Sequence, residues 1–143
     1  MSDPSTLMQE LEDAARALDK ASTRLAGATR EFEGWSEQDE HGKWHWQPGP
    51  QLLYEEKVDA ECVRIYEAAQ SSEEKPPPEP IRLAMARSAV KTRHPDLAAD
   101  YHRLASEIRN IQRWCSAKRD TISARQSVLS AEKAILGTPR QAA

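Results

Sequence analysis

A chain of 143 residues holds enough material for one domain with a modest hydrophobic core. Five glycines, a single phenylalanine and abundant Ala, Leu, Glu, Arg and Gln favour helices over sheets, so we expect an all-α protein. The sequence contains neither an apolar run of about 18 residues nor a basic and then apolar N-terminal segment. It therefore indicates no membrane span and no secretory signal, and we expect a cytoplasmic protein.

The net charge of −3 hides an opposition between the two parts of the chain. Residues 1–80 carry 8 of the 20 Lys and Arg and 18 of the 23 Asp and Glu, a net charge of −10, whereas residues 81–143 carry +7. In the first interpretation the two parts fold against each other and the charges guide that pairing. In the second, the basic part binds nucleic acid or an acidic partner.

The first predicted helix covers residues 5–35 and has one regular apolar row. Its members recur at alternating steps of four and three residues, as in a coiled coil. The row consists of Leu7, Leu11, Ala14, Leu18, Ala21, Leu25, Ala28, Phe32 and Trp35. From residue 14 onward Ala alternates with larger side chains, which favours close packing against another helix.

A polar loop rich in Gly and Pro is predicted over residues 36–50. Alternation over residues 43–47 indicates one short extended piece, alone or as half of a small hairpin, with Trp44 and Trp46 on the same side. Tryptophan is common among interface anchors, so Trp44, His45 and Trp46 are candidate partner-binding residues. The alternative is that the loop folds back and buries both indoles. We expect Trp44 to be the contact and Trp46 to be buried, because Trp46 adjoins the turn Pro48-Gly49-Pro50.

The middle of the chain predicts two shorter helices. A half-buried helix over residues 51–70 is followed by a proline-rich linker over residues 71–80. A helix over residues 81–92 follows, with Ile81, Met85, Ala89 and Val90 on its inner face. Pro95 ends this helix at His94 and begins the last one.

The last predicted helix covers residues 96–136 and changes its apolar face near Trp114. One row is Leu97, Tyr101, Leu104, Ile108, Ile111 and Cys115, and its continuation would place Lys118, Arg125 and Glu132 inside. A second row is Trp114, Ala117, Thr121, Ala124, Val128, Ala131 and Ile135. Because this second row alternates Ala with larger residues, we expect the first helix to pack on residues 114–136. The predicted fold is a single domain over residues 1–143. It is a long antiparallel, coiled-coil-like helical hairpin with two shorter helices and an aromatic loop between its arms.

No residue pattern predicts an enzyme, a cofactor or a metal. The four histidines and two cysteines lack ligand spacing, and the sequence contains neither a phosphate-binding loop nor a nucleophile motif. The two arms of the hairpin differ in length, so the surplus of the last helix needs the middle helices or a second copy of the chain, and a homo-oligomer is one of our expectations.

The stretch Ile111-Gln-Arg-Trp-Cys-Ser-Ala-Lys-Arg-Asp-Thr-Ile-Ser-Ala-Arg-Gln-Ser-Val-Leu-Ser-Ala-Glu-Lys133 resembles the C-terminal helix of small helical accessory proteins of tailed phages. The resemblance implies an origin on a mobile element. We expect a non-enzymatic helical adaptor that binds a protein partner. The alternative is a nucleic-acid-associated accessory protein that uses the basic residues of the last helix. These are Arg109, Arg113, Lys118, Arg119 and Arg125.

Overall fold

The protein is described here from a computed structural model that places residues 3–137. Within that range the chain forms four helices and two strands. In order they are α1 (Pro4–Glu33), β1 (Gly34–Gln38), β2 (Trp44–Pro48), α2 (Pro50–Ser71), α3 (Glu79–Arg93) and α4 (Pro95–Gly137). The prediction of a mainly helical protein is confirmed. The predicted helices lie within two residues of the observed ones at each end, but the predicted loop over residues 36–50 is a β-hairpin.

The apolar row of α1 faces inward as predicted. Leu7, Ala14 and Ala28 are buried, and the other members of the row on α1 are half-buried. Trp35, the last member of the predicted row, lies on β1 instead, because α1 ends at Glu33. A row that returns every seven residues stays on one side of a helix, which is the arrangement that packing against neighbouring helices requires.

The inward face of α4 differs from the prediction after Cys115. The first row continues without a shift, and its later members are all half-buried: Lys118, Ile122, Arg125, Leu129 and Glu132. The second row, from Trp114 to Ile135, is exposed at all seven positions, so the prediction that it packs inward was wrong.

Two physical reasons keep the first row of α4 inside. A regular helix presents one constant heptad face, and moving contact from Cys115 to Trp114 requires a rotation of about 100°. The continued row also contains Ile122 and Leu129, seven residues apart, and each buries more apolar surface than an alanine can. Lys118 and Arg125 tolerate the positions between them because the stems of these long side chains are apolar.

The described chain divides into two compact units. One contains residues 27–108, which comprise the end of α1, the hairpin, α2, α3 and the first part of α4. The other contains residues 3–26 of α1 and 109–137 of α4. The sequence-based prediction of one domain over 1–143 stays a prediction, and residues 1–2 and 138–143 lie outside the described part.

The core of the unit 27–108 lies where α2, α3 and α4 meet. Its buried members are Tyr54, Val58, Ala86, Val90 and Ala98. The ring of Tyr54 stacks on the ring of Tyr101 with the centroids 4.0 Å apart. The ring of Phe32 packs on the same Tyr101 with the centroids 5.3 Å apart. Burial raises the pKa of the Tyr54 hydroxyl, because the charged phenolate is disfavoured away from water.

The inner face of α3 is offset from the predicted one. Ala86 and Val90 are fully buried, whereas Ile81 and Met85 are exposed. On the facing helix α2, the buried carboxylate of Glu61 accepts hydrogen bonds from Arg64 at 2.9 Å and Arg93 at 2.6 Å. The second of these bonds joins α2 to the end of α3, so charge as well as apolar contact fixes this helix pair.

Candidate partner-binding hairpin

Two glycines allow the hairpin to leave and rejoin the helices within a short length of chain. Gly34 follows α1 with a φ of +115°, and a Cβ atom there would lie 2.5 Å from the carbonyl oxygen of Gln47. Gly49 precedes α2, and a Cβ atom there would collide with the backbone of Phe32. Only glycine fits both positions without movement of the backbone. Both ends of the hairpin are therefore held against the end of α1.

The connection between the strands is organised by Asp39. Its Oδ1 accepts hydrogen bonds from the backbone N–H groups of His41 at 2.9 Å and Lys43 at 2.8 Å, and its Oδ2 lies 2.7 Å from Nε2 of His45. Gly42 takes the positive φ of +79° that closes the turn. The hydrogen bond with His45, followed by that from the Lys43 N–H, holds the pKa of Asp39 below its usual value.

Strand pairing places the two candidate indoles on one face. The antiparallel register pairs Trp44 with Gln38 and Trp46 with Ser36, and directly paired residues share a face of the sheet. Trp44 is 65% exposed and Trp46 is 56% exposed. The prediction that both indoles lie on one side of an extended piece is confirmed. The expectation that Trp46 is buried was wrong, because only the small side chain of Ser36 stands opposite it on this face.

The opposite face of the hairpin is polar and internally bonded. It carries Trp35, Glu37, His45 and Gln47. Nε1 of Trp35 donates to Glu37 at 2.8 Å, and His45 is engaged with Asp39. The structure therefore brings Trp44 and Trp46 together but turns His45 away from them, into a position that supports the turn.

The five basic residues singled out from the sequence do not form one patch on α4. Lys118 and Arg125 lie in the inner row, where Arg125 is 3.4 Å from Glu10 and Lys118 lies 5.7 Å over the ring of Trp114. Arg109, Arg113 and Arg119 are exposed, and none of the three is in an ion pair with another described residue. A further basic residue, Arg103, contacts Glu31 at 3.6 Å.

Among residues 3–137, no three His, Cys, Asp or Glu side chains come together in a way that could hold a metal ion. A shallow cleft of about 360 Å³ between α2 and α3 is lined by Cys62, Val63, Tyr66, Glu67, Gln70 and Arg82. The guanidinium of Arg82 lies 5.7 Å over the ring of Tyr66. A single carboxylate and a single guanidinium line this cleft, without a second acid beside them.

The second row of α4, from Trp114 to Ile135, is visible in the sequence, but the sequence-based prediction places it on the inner side of the helix. Its members have the spacing of a packing face, and the charges of Lys118, Arg125 and Glu132 argued against the alternative row. The signal that identifies the true inner face is continuity. The row from Leu97 to Cys115 extends to Glu132 at unbroken steps of three and four, and it includes Ile122 and Leu129 between the charged positions.

Comparison with known proteins adds no relative. No protein-family model, no curated protein and no solved structure matches this chain. Across the described residues, none of the helices has the length and apolar character needed to cross a bilayer.

Proposed function

We propose that this protein is a non-enzymatic helical interaction module that binds a protein partner through the face of its β-hairpin carrying Trp44 and Trp46. The observation that carries the proposal is the exposure of both indoles on one face of a hairpin held by Gly34, Gly49 and Asp39. A fixed backbone lowers the entropy that binding must overcome, and aromatic anchors contribute most of the affinity of many interfaces. Covering the exposed part of Trp44, about 100–160 Å², corresponds to roughly 2.5–4 kcal/mol.

The charge of the hairpin favours a protein over a nucleic acid. Residues 34–48 contain Glu37, Asp39 and Glu40 but only one lysine, Lys43. Carboxylates on the same hairpin repel phosphate, so base stacking on Trp44 and Trp46 is opposed electrostatically. The partner we propose presents an apolar pocket for the indoles with a basic rim around it.

Within the same proposal, α1 and α4 are the two arms of a long antiparallel hairpin, in a cytoplasmic protein whose resemblance to phage accessory proteins points to a mobile element. Contacts inside each unit support the pairing of the arms. Glu10 lies beside Arg125 in one unit, and Glu31 lies beside Arg103 in the other. Both pairs join an early acidic residue to a late basic one, which favours the interpretation that the oppositely charged parts of the chain fold together.

The test is capture of partners by the tagged full chain from a native lysate treated with nuclease. Trp44→Ala and Trp46→Ala should each remove the captured protein and change the free energy of unfolding by no more than about 0.5 kcal/mol. Gln47→Ala is the matched control, because Gln47 lies on the same strand but on the other face. A stability loss of several kcal/mol in both tryptophan variants, or capture that neither variant changes, would reject the hairpin as the binding face.

The second candidate function is nucleic-acid association through α4. The exposure of Arg109, Arg113 and Arg119 favours it. Affinity for DNA or RNA should then fall steeply between about 50 and 200 mM salt, and the double change Arg113→Ala with Lys118→Ala should flatten the dependence. Binding with a flat salt dependence, or absence of binding at low salt, would exclude this candidate.

A further inference from the structure

The outward face of α4 carries an apolar stripe that the unit 3–26 and 109–137 leaves uncovered. We call it the outer stripe; its members are Trp114, Ala117, Thr121, Ala124, Val128, Ala131 and Ile135. All seven are exposed, with Trp114 at 43%, Val128 at 52% and Ile135 at 75%. Their alternating steps of three and four are the spacing with which one helix packs on another.

The same segment of α4 already has a separate packing face. Ile122 and Leu129 lie in its inner row and are half-buried within the unit. Residues 114–135 therefore carry apolar side chains on two sides, whereas a surface helix that packs on one neighbour has a single apolar stripe. The second side is available to a partner.

The sizes of the side chains along the outer stripe identify the occupant. Larger residues and Ala alternate strictly, so the stripe complements its own reverse when the two copies are shifted by one member of the row. We propose that the outer stripe binds the outer stripe of a second copy of this chain, with the two α4 helices antiparallel about a two-fold axis. A two-fold interface requires a surface that complements itself, and an arbitrary partner helix would impose no such condition.

One register places three of the four larger side chains over an alanine, while Ile135 lies beyond the last alanine, opposite Asn110. Trp114 then meets Ala131 of the second copy, Thr121 meets Ala124, and Val128 meets Ala117. Large residues over small ones allow two helices to approach closely without voids. A parallel pair would instead set Trp114 against Trp114 and Ala117 against Ala117. The large side chains would then collide, and the small ones would leave voids between the helices.

The charges beside the outer stripe agree with this register on one flank. There Arg113 lies next to Ala134 of the second copy, and Asp120 lies next to Ser127, so no like charges meet. On the other flank Lys118 approaches Arg125 of the second copy. Glu10 lies 3.4 Å from Arg125 within the same chain and offsets that repulsion.

The size of the outer stripe sets the strength to expect. It extends over about 22 residues, or about 32 Å of helix, and with a width of about 10 Å it covers on the order of 300–400 Å² on each chain. A standard stable interface covers about 800 Å² on each partner. The pair should therefore be a reversible dimer that dissociates on dilution. This inference does not depend on the hairpin, which belongs to the other unit and is proposed to bind a different partner.

The first experiment is sedimentation of the full chain between about 1 and 200 μM, a range chosen to span a micromolar dissociation constant. The weight-average mass should rise from monomer towards dimer. Val128→Asp should weaken the dimer at least about tenfold without changing the helical circular dichroism. Gln126→Asp, which adds the same charge on an exposed residue two positions away, should leave it intact. A monomer at every concentration, or equal dimerisation of both variants, would overturn the proposal.

The second experiment tests the direction of the helices by oxidative cross-linking. Thr121→Cys mixed with Ala124→Cys should give a disulfide-linked pair, and neither variant alone should give more than the background from native Cys62 and Cys115. A dimer linked efficiently in either variant alone would indicate parallel helices and overturn the antiparallel register.

The third experiment checks the size matching by sedimentation of a compensating pair of changes. The double change Ala117→Val with Val128→Ala should restore the dimer that each single change weakens, because it exchanges the large and small members of one pair. A double variant that dimerises no better than the weaker single variant would contradict the register that sets Val128 over Ala117.

Discussion

The two compact units of this chain distribute their apolar residues in different ways. In residues 27–108 the apolar residues converge on one core, with Val90 and Ala86 fully buried where three helices meet. In residues 109–137 they are divided between two sides of α4. Ile122 alternates with charged residues in the half-buried inner row, while Trp114 and Val128 face outward. The first unit therefore gathers its apolar residues in one core, whereas the second buries residues such as Ile111 and Cys115 and also leaves an apolar stripe exposed on α4.

The contrast predicts a large difference between two truncations on α4. Leu104 is 1% exposed, so Leu104→Ala should lower the free energy of unfolding by about 2–5 kcal/mol through lost contacts and a cavity. Val128→Ala should change it by no more than about 0.5 kcal/mol in dilute protein, where Val128 faces water. Urea denaturation of both variants measures the difference. Equal losses would mean that Val128 is covered within the single chain.

Enlarging two alanines tests the same contrast between a buried and an exposed position by adding atoms instead of removing them. Ala14→Leu should cost about 1–3 kcal/mol, because Ala14 is buried in the inner row of α1 and the added atoms overpack it. Ala124→Leu should leave the thermal midpoint of dilute protein unchanged, since Ala124 is exposed. The same Ala124→Leu change should weaken dimerisation. If Ala124→Leu lowered the thermal midpoint even at the lowest usable protein concentration, Ala124 would have to be packed inside the single chain.

Polar contacts inside the unit 27–108 should have smaller effects. Glu61→Ala should cost about 1–2 kcal/mol, because it leaves Arg64 and Arg93 without their shared acceptor. The side chains of Arg64 and Arg93 are 60% and 49% exposed, which keeps the loss below that of a fully buried ion pair. Arg93→Ala should cost more than Arg64→Ala, because only Arg93 links α3 to α2. Thermal midpoints that fall in the reverse order would contradict this role.

The sequence predicted what depends on local periodicity. The inner row of α1 and the bounds of all helices within residues 3–137 follow from apolar spacing and from prolines at their starts, and they needed no knowledge of neighbours. The phase of α4 after Cys115 could not be predicted in this way, because two rows compete there. The sequence favours the uncharged row through Ala124 over the row that places Ile122 and Leu129 beside Arg125, because burying a charge costs free energy. Only the packed structure reveals that Lys118 and Arg125 stay partly exposed in this row, with Arg125 beside Glu10.

The candidate site was predicted in its residues but not in its architecture. Trp44 and Trp46 stood out as two indoles in a polar segment, and their shared face followed from their spacing. The sequence raised the possibility of a small hairpin but did not locate the partner strand β1, because Gly-Trp-Ser-Glu-Gln has no β-branched residue and little alternation. Its pairing depends on the turn that Asp39 organises. The role of His45 was also hidden, since sequence alone does not show that its ring contacts Asp39.

The smallest expected effect is the pH dependence of this turn. The pKa of Asp39 is lowered in the folded hairpin, first by His45 and then by the Lys43 N–H, so the ionised form is the one that stabilises the turn. That stability is present above the unfolded pKa of about 3.9 and is lost as the pH falls through the folded value. The indole N–H signals of Trp44 and Trp46 should shift in this acidic range. Asp39→Asn should weaken the turn at neutral pH and remove the acid-linked shift.

Asp13→Asn is the matched control, because the pKa of Asp13 is also lowered, by Arg16 and Gln9 on α1, far along the chain from the hairpin. Identical acid titrations of the wild type and Asp39→Asn would show that the Asp39 carboxylate does not hold the turn that presents the two indoles.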